Sequence, residues 1–196
     1  MRAFFLLVLS VQLSLAQSDW KLRIDEDSIR VWTGHQETSK IKTIRSEFTL
    51  RASRDEFLRE LMLIERYPEW QYKALKCHTL QKVSAREVIY YCEVEAPWPV
   101  TNRDMVIRLQ VHDQAGSADF RVTTHSDTFP VPLNDDLVRV PMSTAEWSIR
   151  VAGPRLLKIK YTVQVDPGGS VPAWVINLVA AQAPFQTFKN LKRRLE

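Results

Sequence analysis

Glycine is scarce in this chain, with five in 196 residues, and no linker, internal repeat or low-complexity stretch divides it. A collagen-like or disordered class is therefore excluded, and one folded domain is expected. Two cysteines and four scattered histidines are present, without CxxC, HExxH or a similar ligand spacing. Neither a dithiol redox site nor a metal centre is indicated, and no cofactor is called for. A GxSxG nucleophile motif is missing, and Gly168-Gly169-Ser170 lacks the lysine of a phosphate loop. Charge of one sign is not in large excess: 27 basic against 23 acidic residues leave +4, with no basic run interleaved with aromatics. A nucleic-acid partner is thus not expected, whereas an anionic membrane surface or acidic partner is compatible. No apolar run reaches the roughly 20 residues that a membrane-spanning helix needs.

What the chain does have begins with residues 1–16, MRAFFLLVLSVQLSLA. One cation precedes an apolar run from Ala3 to Val11, and Ser14 and Ala16 stand at the −3 and −1 positions of a cleavage site. This is the pattern of a secretory signal peptide. The mature protein, residues 17–196, is expected to be soluble and exported, secreted or periplasmic.

Period-two alternation dominates the rest. Leu22 to Ile24 and Ile29 to Trp32 flank a polar turn, and Ile44, Ser46, Phe48 and Leu50 mark a third strand. Ser53 and Glu56 then form a capping box ahead of Phe57, Leu58, Leu61, Met62 and Ile64 at helical spacing, which predicts a helix over 54–65 ended by Tyr67-Pro68. Residues 73–83 and 86–95 read as a hairpin in which Leu75 meets Val94, Cys77 meets Cys92, Thr79 meets Tyr90 and Gln81 meets Val88. In an exported protein this places Cys77 and Cys92 for a disulfide, and two buried free thiols fit the same placement.

Met105, Ile107, Leu109 and Val111 face inward on the next strand, then Ala118, Phe120, Val122 and Thr124. Residues 126–136 read as a loop, 138–151 as a strand bent at Pro141, and Leu157, Ile159, Tyr161, Val163 and Val165 as the inner face of the last strand. Arg103-Asp104 reads as a structural ion pair at a strand start. The total is about nine antiparallel strands with one face wet.

The chain then turns at Asp166-Pro167-Gly168-Gly169 into a long apolar helix. Ser170 is the expected N-cap and Pro172 the expected first-turn proline. Lys189, Lys192, Arg193 and Arg194 load the far end, where cations suit the helix dipole. Pro184 interrupts the pattern, so a bend is expected near Val179 to Ala183. Only this helix is long enough to cover the dry face of the sheet.

Several marks occur in a fixed order: Tyr67-Pro68-Glu69-Trp70, Pro97-Trp98-Pro99 leading into Asn102-Arg103-Asp104, Trp147 in a late strand, and Asp166-Pro167-Gly168-Gly169 with Pro172 and Trp174. In these the chain resembles the START domain, a lipid-transfer module, over nearly all of residues 20–196. The resemblance implies an α+β helix-grip fold, a curved antiparallel sheet wrapped around the C-terminal helix. It also implies an inner tunnel for one lipid or sterol-like ligand, gated by that helix.

On the strands such a tunnel would be lined by Leu75, Thr79, Tyr90, Val94, Met105, Ile107, Leu109, Phe120, Val122, Thr124, Tyr161 and Val163. The helix would add Trp174, Leu178 and Phe185. Sterol-binding members often carry an acid and a base inside, and the matching positions here are Tyr90 and Leu109. That pair is absent, which implies a more apolar ligand or one fixed by hydroxyls. Lys189, Lys192, Arg193 and Arg194 are the expected contacts to a transient membrane surface, made by a monomer. Related helix-grip proteins include cyclases, but the inner positions hold no acid or base for catalysis. The expectation is a non-enzymatic lipid carrier; a protein-interaction module is the alternative.

Overall fold

The computed structural model describes residues 20–35 and 42–196, apart from the side chains of His35, Ala173 and Leu178. The signal peptide expected over residues 1–16 lies outside them. Strands β1 (Lys21–Glu26) and β2 (Ile29–His35) are joined by Asp27 and Ser28, at φ +52° and +61°. Two consecutive left-handed residues are what a tight hairpin requires for its turn to match the strand twist. β3 (Lys42–Leu50) continues this meander antiparallel to β2.

The capping box forms as the sequence predicts. Glu56 N–H donates to Ser53 Oγ at 3.3 Å and Ser53 N–H to Glu56 Oε2 at 2.7 Å, opening α1 (Arg54–Met62). The expected extent to residue 65 is corrected. α1 stops at Leu63, and a 3₁₀ helix over Ile64–Glu69 follows, with Pro68 inside it. The phenol of Tyr67 donates to the Leu61 carbonyl at 2.7 Å, so a side chain takes over one of the carbonyls left at the α-helix end.

The remaining strands are β4 (Ala74–Ser84), β5 (Glu87–Val94), β6 (Arg103–Asp113), β7 (Phe120–Ser126), β8 (Val138–Arg139), β9 (Met142–Gly153) and β10 (Leu156–Asp166). They join the first three in one sheet of order β1-β2-β3-β10-β9-β7-β6-β5-β4. Instead of one strand bent at Pro141, the chain breaks there. β8 pairs parallel with β6, while β9 pairs antiparallel with β7 and β10. Because β3 and β4 lie on opposite sides of the order, α1 and the 3₁₀ helix carry the chain between them.

α2 (Ala173–Leu195) runs as one helix through the buried Pro184 and packs against β1, β2 and β3. Pro172, not Ser170, is its N-cap, and no side chain caps it. Its core contact is Phe188, which stacks on Phe48 at 4.4 Å and meets Trp147 and Tyr161 edge-on at 5.4 and 5.1 Å. Burying a phenylalanine contributes about 1.5–3 kcal/mol from area alone. This cluster seats the second half of the helix on the sheet.

The outer face is not uniformly wet. Ile89, Tyr91 and Val106 form a second small core there with Leu80, Phe129 and Val131. The loop over residues 127–137 supplies the cover.

Glu56 offers a test of the capping box. Hydrogen bonds from the Arg155 side chain first, then from Ser53, lower its carboxyl from the usual 4.5 to about 2. A depressed folded pKa gives stability that is full above pH 4.5 and is lost as pH falls towards 2. Replacing it by Glu56→Gln is expected to flatten the fall of the thermal midpoint in that window, read by circular dichroism.

Candidate functional site

The inner face of the sheet has two unlike halves. Near α1, Leu50, Phe57, Leu61, Phe120, Ile149, Leu157 and Leu191 are all buried, and Phe57 packs on Trp147 at 5.8 Å. That half is filled by side chains. Towards the start of α2 the inward-facing residues change character. Ile44, Thr79, Val94, Met105, Thr124, Tyr161 and Val165 are only half-buried, although the register of their strands points them inward.

Tyr161 is the most informative of these. Burial pushes its phenol well above the usual 10, yet the residue keeps accessible surface. Burial likewise raises the phenol of Tyr90, which packs on Tyr67 at 5.4 Å. Among the described residues the fully buried Oγ of Ser46, opposite Tyr161 in the register, has no hydrogen-bond partner. An unpaired buried hydroxyl costs about 1–3 kcal/mol. Ser46, Tyr90 and Tyr161 thus place three neutral hydroxyls on the inner wall.

Of the residues expected to line a tunnel, Tyr90, Ile107, Leu109, Phe120, Val122, Val163 and Phe185 are buried in the interior. Thr79, Val94, Met105, Thr124 and Tyr161 are half-buried and inward. Two expectations are corrected. Leu75 is 49% exposed, because the β4–β5 register skips it between Ala74 and Lys76, and Ala74 takes the inner place opposite Val94. Such bulges are characteristic of edge strands, and β4 bulges again at Leu80, so Gln81 meets Ile89 rather than Val88. Trp174 is 55% exposed, on the outside of the first turn of α2. The Leu178 side chain lies outside the described set. Ile44, Ser46 and Val165, which alternation also puts on that face, add to the expected lining.

Cys77 and Cys92 are joined by a disulfide on the inner side of the β4–β5 pair. Arg103 and Asp104, expected as partners, point to opposite faces. Asp104 is chelated by Arg139 at 2.8 and 2.9 Å. Arg103 is buried and donates to three carbonyls, those of Thr101, Pro167 and Gly168, and burial lowers its pKa. Since Pro167 and Gly168 lead into α2, Arg103 fastens that loop to the start of β6.

The basic end of α2 is also engaged. Arg194 pairs with Glu60 and Glu69, Lys189 with Asp27 at 2.6 Å, and Lys192 with the Thr49 carbonyl at 3.1 Å and Glu196 at 3.7 Å. Asn190 Nδ2 donates to the Trp70 carbonyl and Tyr72 N–H to Thr187 Oγ1. Arg193 is exposed and has no carboxylate partner among the described residues.

Comparison with known proteins adds a frame. The family model described as "START domain" matches residues 6–196. The chain is 29% identical to an uncharacterized protein of Pseudomonas aeruginosa over 185 residues, covering 91% of this chain and 87% of that one. It is 28% identical to human START domain-containing protein 10 over 165 residues, 83% of this chain, and spans only 56% of that relative's length. Among solved structures, a STAR-related lipid transfer protein fragment from Xanthomonas axonopodis superimposes with a TM-score of 0.80 at 29% identity, covering 90% of this chain and 98% of that one.

The ion pairs at the end of α2 are testable. Arg194→Ala leaves the buried Glu60 without its partner, and a loss of about 3 kcal/mol is expected in denaturant unfolding. Arg193→Ala is expected to change stability by less than about 0.5 kcal/mol.

Proposed function

This chain belongs to the START domain family, and from that premise we propose that it binds one lipid or similar hydrophobic molecule inside the sheet and carries it between membranes unchanged. The observation that carries this reading is the contrast between the two halves of the interior. Side chains pack solidly near α1, whereas the inward-facing Ile44, Met105, Thr124, Tyr161 and Val165 are only half-buried. Similarity to a STAR-related lipid transfer protein of Xanthomonas axonopodis supports the same reading.

Removing about 15 methylenes from water contributes roughly 12 kcal/mol before ordering costs, so a bound lipid leaves by way of a membrane rather than through water. The polar groups available to it, Ser46, Tyr90 and Tyr161, are neutral hydroxyls. They suit an ester carbonyl or hydroxyl better than a buried charge, and without an acid or base beside them they serve binding rather than chemistry. Opening falls to the first half of α2. Pro184 removes one helical hydrogen bond there, while Phe188 and Arg194 hold the second half. Residues 1–16 carry the export signal, and residues 17–196 work as a soluble monomer outside the cytoplasm.

Native mass spectrometry with lipid extraction of the purified protein tests this directly. One co-purified lipid per chain is expected, and a chain that stays empty when incubated with lipid vesicles sinks the proposal. Tyr161→Phe, which removes only the hydroxyl, is expected to weaken retention of that lipid about 3- to 10-fold in a competition assay.

A further inference from the structure

The outer face of the sheet differs between its two ends. Over β5 and β6 the loop of Phe129 and Val131 covers it, whereas Ser148, Arg150, Lys158 and Lys160 on β9 and β10 stand exposed. Here the register sets one row of outward side chains across neighbouring strands: Arg30, Glu47, Lys160, Ser148, Arg121 and His112. Serine is short and its neighbours are long, so the row holds an open groove of about 780 Å³, which Thr49, Lys158 and Arg150 of the next row also line.

The acids of this groove are already engaged. Glu47 is shared by Arg30 at 3.1 Å and Lys160 at 3.7 Å, and Glu146 lies 3.9 Å from Arg121. Asp113 is held by Arg54 and Arg86, and Asp119 accepts from the Val151 N–H at 2.8 Å. Lys158 and Arg150 remain. They stand directly opposite each other in the register, and neither has a carboxylate partner among the described residues. Like charges so placed weaken a strand pair. Towards β1, Leu22 is 51% exposed and stands opposite Trp32, over whose ring Arg30 lies at 5.3 Å. Tryptophan and arginine are the side chains from which protein interfaces most often draw their affinity.

We propose that this groove docks an acidic segment of a partner protein, whose carboxylates meet Lys158 and Arg150 and whose apolar side chain rests on Leu22 and Trp32. From β2 to β6 the row spans about 24 Å, the length of roughly seven extended residues, which suits a polypeptide and far exceeds a free anion. Glu47 and Glu146 in the same groove repel a uniformly anionic surface such as a bilayer, while a segment sets its carboxylates between them. Docking here is independent of the carrier reading. The groove lies on the face opposite to the interior, and its occupant leaves α2 uncovered.

Fluorescence anisotropy of labelled decaglutamate with the purified protein, against decaglutamine as the neutral control, tests this. Decaglutamate is expected to bind, more weakly as salt is raised, and decaglutamine is not. Lys158→Glu with Arg150→Glu is expected to weaken binding at least about tenfold. Lys76→Glu with Lys82→Glu, an equal change of net charge on the exposed edge of β4, is expected to change it less than about twofold. Lys158→Glu alone turns the like pair into an opposite one, and is expected to weaken binding while raising the thermal midpoint by about 1–3 °C, which separates lost docking from lost folding. The proposal is overturned if decaglutamate does not bind, or if the two double variants lose binding alike, which would leave only attraction by net charge. It is equally overturned if phosphatidylglycerol vesicles displace the peptide from the parent and ignore the variant at Lys158 and Arg150, which would assign the groove to a membrane.

Discussion

The seating of Phe188 among Phe48, Trp147 and Tyr161 is the contact on which the architecture depends. A sheet with one apolar face is not stable alone; it must be covered, and α2 is the element that covers it. Phe188 joins residues of β3, β9 and β10 to the helix at one point, so the middle of the sheet and its cover are fixed together. Around it the contacts divide the helix in two. Residues from Thr187 onward are tied to β3, to the β1–β2 turn and to the segment around α1 by hydrogen bonds and ion pairs. Before Pro184, Lys42 donates to the side-chain oxygen of Asn177.

This division gives the polar groups different tasks. Arg194 and Lys189, expected at a membrane surface as cations of the helix end, pair with carboxylates from distant parts of the chain. Glu60 and Glu69 lie far from Arg194 in sequence, and no local pattern pairs them. Arg103 and Asp104 show the same limit. Adjacent residues in a strand face opposite sides, so the neighbour in sequence is the one partner that alternation rules out.

Much of the fold was legible because it is written in local periods. Alternation identified the faces of β3, β6, β9 and β10, the Ser53–Glu56 pair marked the start of α1, and the glycines at 168 and 169, both at positive φ, marked the turn before α2. The bulges were not legible. Skipping Leu75 changes which residue faces inward without changing the composition of the strand, so an unbroken register placed a leucine in the interior that stands in solvent. The cover over Ile89, Tyr91 and Val106 was missed for a related reason. These residues alternate as a wet face should, and only the path of the loop carrying Phe129 and Val131 makes that face dry. For the site, the inward facing of Thr79, Tyr90 and Tyr161 was readable from alternation. The contrast between its buried and half-buried residues was not, since it depends on how α1 and Phe188 fill one end.

The strand order has a bearing on how the chain reaches this state. β4 to β7 pair with neighbours in sequence and can assemble locally, but β3 waits for β10, where Leu50 meets Leu157 and Ile44 meets Val163. Non-local pairings of this kind are slow to form, because chain entropy is lost before the contacts that repay it exist. Until the last strand and helix emerge, β1–β3 and β4–β7 remain two meanders with their greasy sides uncovered. A nascent chain of this topology is thus exposed to misassociation for most of its synthesis, and its C-terminal third acts as the clasp that ends that interval.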